Sequence, residues 1–292
     1  MANRRVLVKR RKSIGNIRKI TRTMQLIATA RFQAAFNRAV ASQPYTEKLA
    51  ELVADLARGA GEIEHPLMRP ADPDAPVALV VLTSMRGLCG GYNANVLRLS
   101  QERLAEWRSG ARSHQLRVFG KKGIAYFRFR KQEMALADTA IGDVPRFEKV
   151  EKVANDLMAD FLAGRISGVE VVYMRFYSAG RQRPESMQLL PLLPDRPAGD
   201  DGEAGPAVEY ELRPDAATLL AELLPATVRI RLFQAFLDAT VSEQIARMAA
   251  MKAATDASED MIKNLTRQYN RARQTHITME LLDIVGGANA LA

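Results

Sequence analysis

Apolar residues in the first sixty positions recur three and four apart. Ile17, Ile20, Met24 and Ile27 follow that spacing, and Tyr45, Leu49, Leu52 and Leu56 repeat it. This is the pattern of a heptad seam, so the segment predicts a long helix that packs against another helix. Between the two groups lies a slim stretch containing Ala28, Ala30, Ala34, Ala35 and Ala39, where a neighbouring helix can approach closely. Pro44 predicts a kink or a join, and Gly59 and Gly61 predict the end.

The period then changes. Residues 77–82, Val-Ala-Leu-Val-Val-Leu, are continuously apolar and read as a parallel strand buried on both faces. An amphipathic stretch follows at 93–107. A second strand is expected at 116–119, a short helix at 121–130 and a strand at 169–176. Residues 147–162 place Val150, Val153, Leu157 and Phe161 on one helical face. Alternating strands and helices predict an α/β domain with a largely parallel sheet. Residues 194–206 are rich in Pro, Gly and Asp and read as an exposed loop.

From about residue 214 the chain returns to a helical pattern. No proline follows Pro225, and no glycine appears before Gly286. Some sixty residues at about 1.5 Å each predict a rod of roughly 90 Å. Ile262, Leu265, Tyr269 and Ala272 keep the three-four spacing, so the rod needs a partner along its length. The expected architecture is α/β: a long antiparallel coiled coil from the N- and C-terminal helices plus a compact α/β domain. The boundaries fall at 1–61, 76–212 and 213–292.

Charge adds a partner class. The net charge of +9 is concentrated at the start, where eleven Lys and Arg residues precede the first acid, Glu47. Such an arm seeks nucleic acid, anionic lipid or an acidic protein surface. A nucleic-acid reader would pair it with aromatics for stacking, but Phe32 and Phe36 are its only ones and sit at helical spacing. Cys89 is the sole cysteine, which excludes an intrachain disulfide. No apolar run is long enough to span a bilayer, so membrane attachment is expected through a partner. The Arg-rich start lacks an apolar segment of secretory type.

Candidate chemistry is thin. Residues 87–91, Gly-Leu-Cys-Gly-Gly, follow a strand and precede a helix, the place for a phosphate loop. The pattern matches neither nucleotide-binding fingerprint, so a tight turn stands beside a nucleotide site as its reading. His65, His114 and His276 show no nucleophile or metal-ligand spacing. No cofactor is expected.

Four segments carry a resemblance. Residues 17–24 (Ile-Arg-Lys-Ile-Thr-Arg-Thr-Met) are followed by an Ala-rich run ending at Arg31. Residues 83–93 read Thr-Ser-Met-Arg-Gly-Leu-Cys-Gly-Gly-Tyr-Asn. Residues 243–256 include Arg-Met-Ala-Ala-Met-Lys and Ala-Thr-Asp. Residues 269–274 (Tyr-Asn-Arg-Ala-Arg-Gln) precede Ile277, Thr278, Glu280, Ile284 and Val285. In order and nearly end to end, these resemble the gamma subunits of F-type ATP synthases, of bacterial type.

The resemblance implies a Rossmann-like α/β domain on the coiled coil, and a rotor shaft without catalysis of its own. It implies that the shaft turns inside a ring of alpha and beta subunits. The foot would then meet the epsilon subunit and the membrane c-ring, at the cytoplasmic face of the inner membrane. It further implies that Arg273 and Gln274 contact a loop of beta, and that Thr278 and Glu280 matter for coupling. Met24 matches a methionine near the coupling zone, beside the alternative of a plain heptad core position. Arg18, Lys19 and Arg22 would face an acidic segment of beta. Met85 departs from the family's usual acid and removes any ion pair made there. His276 departs from a segment of small residues, and Gln25 and Leu26 from the usual residues after the methionine. The rival reading is a basic coiled coil that binds nucleic acid with steep salt dependence.

Overall fold

The computed structural model describes residues 4–59, 65–69, 72, 74–192 and 216–289. In chain order its elements are α1 (Arg4–Gly59), β1 (Val77–Leu82), α2 (Tyr92–Ser109), β2 (His114–Phe119), α3 (Lys121–Phe129), β3 (Leu136–Asp138), α4 (Phe147–Leu162), β4 (Gly168–Ser178), β5 (Arg181–Leu190) and α5 (Ala216–Asn289). The loop expected at 194–206 and the stop at Gly61 lie outside the described residues, as does the side chain of Leu56. Pro44 and Pro225 sit inside α1 and α5, which run on past them. Contacts divide the chain into two compact units, Arg31–Ala246 and Met1–Ala30 with Arg247–Ala292.

The larger unit is built on a five-stranded sheet of order β3-β2-β1-β4-β5. β1 pairs in parallel with β2 and β4, β2 with β3, and β5 closes the edge antiparallel to β4. β1 is central, and its alternate side chains serve two cores. Val77, Leu79 and Val81 join Val96, Leu104 and Trp107 of α2 and Phe127 of α3. Ala78, Val80 and Leu82 join Val150, Leu157 and Phe161 of α4 and Leu224, Val228 and Leu232 of α5. A strand buried on both faces must be apolar at every position, hence the unbroken run. Each Val or Leu so buried contributes roughly 1.5–3 kcal/mol.

α1 and α5 also pack within this unit. Ala35 and Ala39 lie against Leu237, Val241 and Ile245. Ser42 Oγ donates to Gln234 Oε1 at 2.8 Å.

The smaller unit is an antiparallel helix pair. Thr21 Oγ1 and Thr255 Oγ1 share a hydrogen bond of 2.8 Å, and Arg18 lies 3.7 Å from Glu259. The Arg11 guanidinium sits 5.4 Å from the Tyr269 ring centroid. Partner numbers fall as α1 advances. Along α1 here Leu7, Thr21 and Ala28 are buried, and Arg11, Ile14, Gly15, Arg18, Met24 and Gln25 are half-buried between them, a three-four spacing. The expected seam of Ile17, Ile20 and Ile27 is corrected by this. Those residues are between 46% and 59% exposed and form a stripe on the outer face. At Thr21 and Ala28 the small side chains leave room for the facing helix, while Ile17, Ile20 and Ile27 stay outside. On α5, Ile262, Leu265, Tyr269 and Ala272 are half-buried on the seam as expected.

Candidate interaction surface on the paired helices

Beyond Ala272, α5 has no cover. Every described side chain from Arg273 onward is exposed. The helix continues to Asn289, about 25 Å at 1.5 Å per residue. The hydrogen bonds of this segment are local: Thr278 Oγ1 donates to the Gln274 carbonyl at 3.0 Å, and His276 Nε2 lies 3.3 Å from Glu280.

The exposed segment carries a coherent apolar stripe. Ile277, Leu281, Ile284 and Val285 follow i, i+4, i+7, i+8 and are between 42% and 69% exposed. By the same 3.6-residue period Arg273 and Glu280 flank the stripe on one side and Thr278 on the other, while Gln274 lies in line with it at its amino end. The four tip residues picked out by resemblance thus rim one apolar strip. The strip itself is the feature sequence reasoning missed. Its signal is available in hindsight: the four apolar positions keep helical spacing past the last seam residue. An uncovered strip with polar flanks is the usual form of a protein-docking surface.

Met24 and the basic face lie apart from the tip, on α1. Met24 is half-buried on the edge of the outer apolar stripe. Lys19 and Arg22 are exposed, while Arg18 lies on the seam side, toward Glu259. Phe32 and Phe36 pack on each other at 5.7 Å, and Phe36 packs on Phe176 at 5.8 Å. They are spent on packing and offer no stacking platform for bases.

The glycine loop resolves as a turn. Leu88 and Gly90 take φ of 63° and 55°, which lets the chain reverse between β1 and α2. Side chains lock it from within. Asn93 Nδ2 donates to Ser84 Oγ at 2.7 Å and to Cys89 Sγ at 3.1 Å, and the Ser84 N–H donates to Asn93 Oδ1 at 3.0 Å. Cys89 is buried. Asp143 holds Arg86 of this loop at 2.8 Å and Arg31 of α1 at 3.4 Å. Nearby, beyond the carboxyl ends of β1 and β2, lies a crevice where doubly wound sheets commonly take ligands. Here Phe236, Ala239, Thr240 and Glu243 of α5 line it together with the strand ends, and about 30 Å³ is left. That volume suits a water-sized group, far short of a nucleotide. Met85 also lines this small space. Among the described residues no group of His, Cys, Asp and Glu is placed to hold a metal ion.

Comparison with known proteins bears on the whole chain. A model of the ATP synthase family matches residues 3–291. The ATP synthase gamma chain of Rhodopirellula baltica is 44% identical over 294 residues, covering 100% of this chain and 99% of that one. The ATP synthase gamma chain of Leptospira biflexa is 40% identical over 292 residues, with both chains fully covered. Among solved structures, a chain of the Euglena gracilis mitochondrial ATP synthase (OSCP/F1/c-ring, rotational state 3) superposes with a TM-score of 0.68 at 17% identity. It covers 99% of this chain and 94% of that one. A central stalk/c-ring chain of the Tetrahymena thermophila enzyme gives 0.56 at 19% identity, over 80% and 99%. These last two are likenesses of fold.

Proposed function

The chain belongs to the ATP synthase gamma-chain family, and from that membership we propose that it is the central-stalk rotor of an F-type ATP synthase, linking ion flow through a membrane ring to ATP synthesis or hydrolysis. A gamma chain is a non-catalytic subunit, so the chemistry belongs to its partners. The observation that carries the reading is the solitary end of α5, with its apolar strip uncovered and its polar rim at Arg273, Gln274, Thr278 and Glu280.

A shaft transmits work by differential contact. Its two faces differ: the outer side of α1 presents Ile17, Ile20, Lys19 and Arg22, and the tip presents α5 alone. A partner ring meets a different surface at each angle. Each angle therefore favours a different partner conformation, and the free-energy differences among contacts are the coupling. In this scheme alpha and beta subunits surround the helix pair, and an acidic segment of beta meets Lys19 and Arg22. Arg273 offers a planar fork to a carboxylate on beta, and Met24 offers a pliable thioether. Epsilon and the c-ring take the α/β unit. Among the described residues no helix is long and apolar enough to cross a membrane. We place the chain at the cytoplasmic face of the bacterial inner membrane, held there by these partners.

The test replaces Arg273 and Gln274 together with Ala. Both are exposed on a helix, so the fold should change by less than about 0.5 kcal/mol. Expected is a complex with alpha and beta whose ATP hydrolysis no longer drives ion pumping at the wild-type ratio, or a failure to assemble. Wild-type assembly and coupling in the double variant would remove these residues from the role.

A further inference from the structure

One buried acid in the larger unit has no part in the scheme above. Asp238 lies on α5 where that helix meets α1 and the β4–β5 hairpin, and it is 8% exposed. Its hydrogen-bond donors are neutral: Gln234 Nε2 at 2.9 Å and the Phe176 backbone N–H. Gln234 turns its carbonyl the other way, to accept from Ser42 Oγ of α1 at 2.8 Å. A single chain of polar contacts, Ser42–Gln234–Asp238–Phe176, therefore ties α1, α5 and β4 together. Around it the joint is apolar and close. Phe36 meets Phe176 edge to face at 5.8 Å, and Ala35 and Ala39 pack on Leu237 and Val241.

The charged groups facing Asp238 come from the hairpin. Arg175 of β4 acts on it through space, but that guanidinium is engaged by Glu185 of β5 at 3.1 Å and lies over the Tyr177 ring at 5.2 Å. Glu185 repels a charge on Asp238, and Tyr173 of β4 lies within its field. On α5, Arg231 acts on Tyr173. The α1 side chains packed at the joint, Ala35, Phe36, Ala39 and Ser42, carry no charge.

We infer that Asp238 is a proton-operated latch: uncharged, it closes the joint of α1, α5 and the β4–β5 hairpin; ionised, it is a buried charge held by neutral donors, and the joint loosens. Burial pushes its carboxyl up to about 6 from the ordinary 3.8. The bonds from Gln234 and Phe176 and the field of Arg175 offset this only in part. The sign follows. An acid whose pKa is raised in the closed state favours closure below its open-state value. That preference is lost as pH rises toward the closed-state value. The latch is tightest below about pH 4, slackens between about pH 4 and 6, and is flat above. At tenfold per pKa unit, the ratio of open to closed joint rises by up to roughly a hundredfold.

Hydrogen exchange of the full chain between pH 4 and pH 7 tests this, corrected for the intrinsic pH dependence of amide exchange. In the wild type, amides of residues 172–186 and 32–46 should lose protection by roughly tenfold to a hundredfold over that range. Asp238→Asn removes the charge and keeps an acceptor oxygen for Gln234, and should stay protected throughout. Asp238→Glu should restore a pH-dependent profile. Glu185→Gln should leave the profile in place. The inference is overturned if Asp238→Asn follows the wild-type profile. It is equally overturned if Glu185→Gln abolishes that profile, since the titrating group would then lie on the hairpin.

Discussion

Gly120 follows β2 and opens α3, with φ 99° and ψ 139°, a region that residues with a side chain rarely enter. A Cβ built there would stand 2.1 Å from the carbonyl oxygen of Thr83 and 2.8 Å from its hydroxyl oxygen. Neither neighbour can step aside freely. The Thr83 N–H donates to Phe119 O at 2.8 Å, its hydroxyl donates to the same oxygen at 2.8 Å, and the Gly123 N–H donates to Thr83 Oγ1 at 2.9 Å. Gly120→Ala therefore carries about 1–3 kcal/mol of backbone strain. It also displaces one or two partly buried hydrogen bonds at about 1 kcal/mol each. The expected loss is about 2–5 kcal/mol, a large part of a typical domain's stability. Gly142 is the control. Its φ is 76°, but nothing lies within 4 Å of the added carbon, so Gly142→Ala should cost only about 1–2 kcal/mol. Urea unfolding followed by the fluorescence of Trp107 reads both, because this single tryptophan is buried in the sheet core. If Gly120→Ala falls within about 1 kcal/mol of Gly142→Ala, the close approach to Thr83 is not what holds this position.

Two further outcomes are expected. Asp160 of α4 is held by Arg117 and Arg165. Burial works to raise its carboxyl pKa, but the bonds and charges of the two arginines outweigh that and bring it below 3.8. The stability it contributes is complete above pH 3.8 and lost as pH falls further. Asp160→Asn should thus cost about 2 kcal/mol at pH 7, from its hydrogen bonds to charged partners, and progressively less as pH falls below 3.8, read by thermal melts at each pH. Ala28→Leu adds three carbons at a fully buried place on the helix pair. It should cost about 1–3 kcal/mol through overpacking while leaving helix content unchanged by circular dichroism.

How much could be read beforehand depended on where each element packs. β1 was legible because burial on both faces demands an unbroken apolar run. α4 was legible from Phe147 to Leu162, because one face packs and the other is wet. β3 and β5 were not. β3 is three residues at a sheet edge, and β5 is largely polar and contains Pro184, which an edge strand tolerates. On α1 the seven-residue period was legible and its phase was not. Ile17, Ile20 and Ile27 outweigh Thr21 and Ala28 in hydrophobicity, yet a close helix pair needs the smaller side chains inside. Arg273, Gln274, Thr278 and Glu280 were found only by resemblance, because no spacing rule marks a docking rim. The strip they border follows a simple helical period, and its meaning depends on knowing that α1 offers no cover there.

Thr21 and Thr255 touch across 234 residues of sequence. At about 5–20 residues per second of synthesis, the first waits roughly ten to fifty seconds for the second to exist. During that interval α1 leaves the ribosome with Leu7, Ile14 and Ala28 unpartnered, a state that invites aggregation. The same eleven cations, with no anion among them before Glu47, make the waiting segment repel its copies. The charge on α1 thus opposes association of copies for as long as its partner helix is still to come.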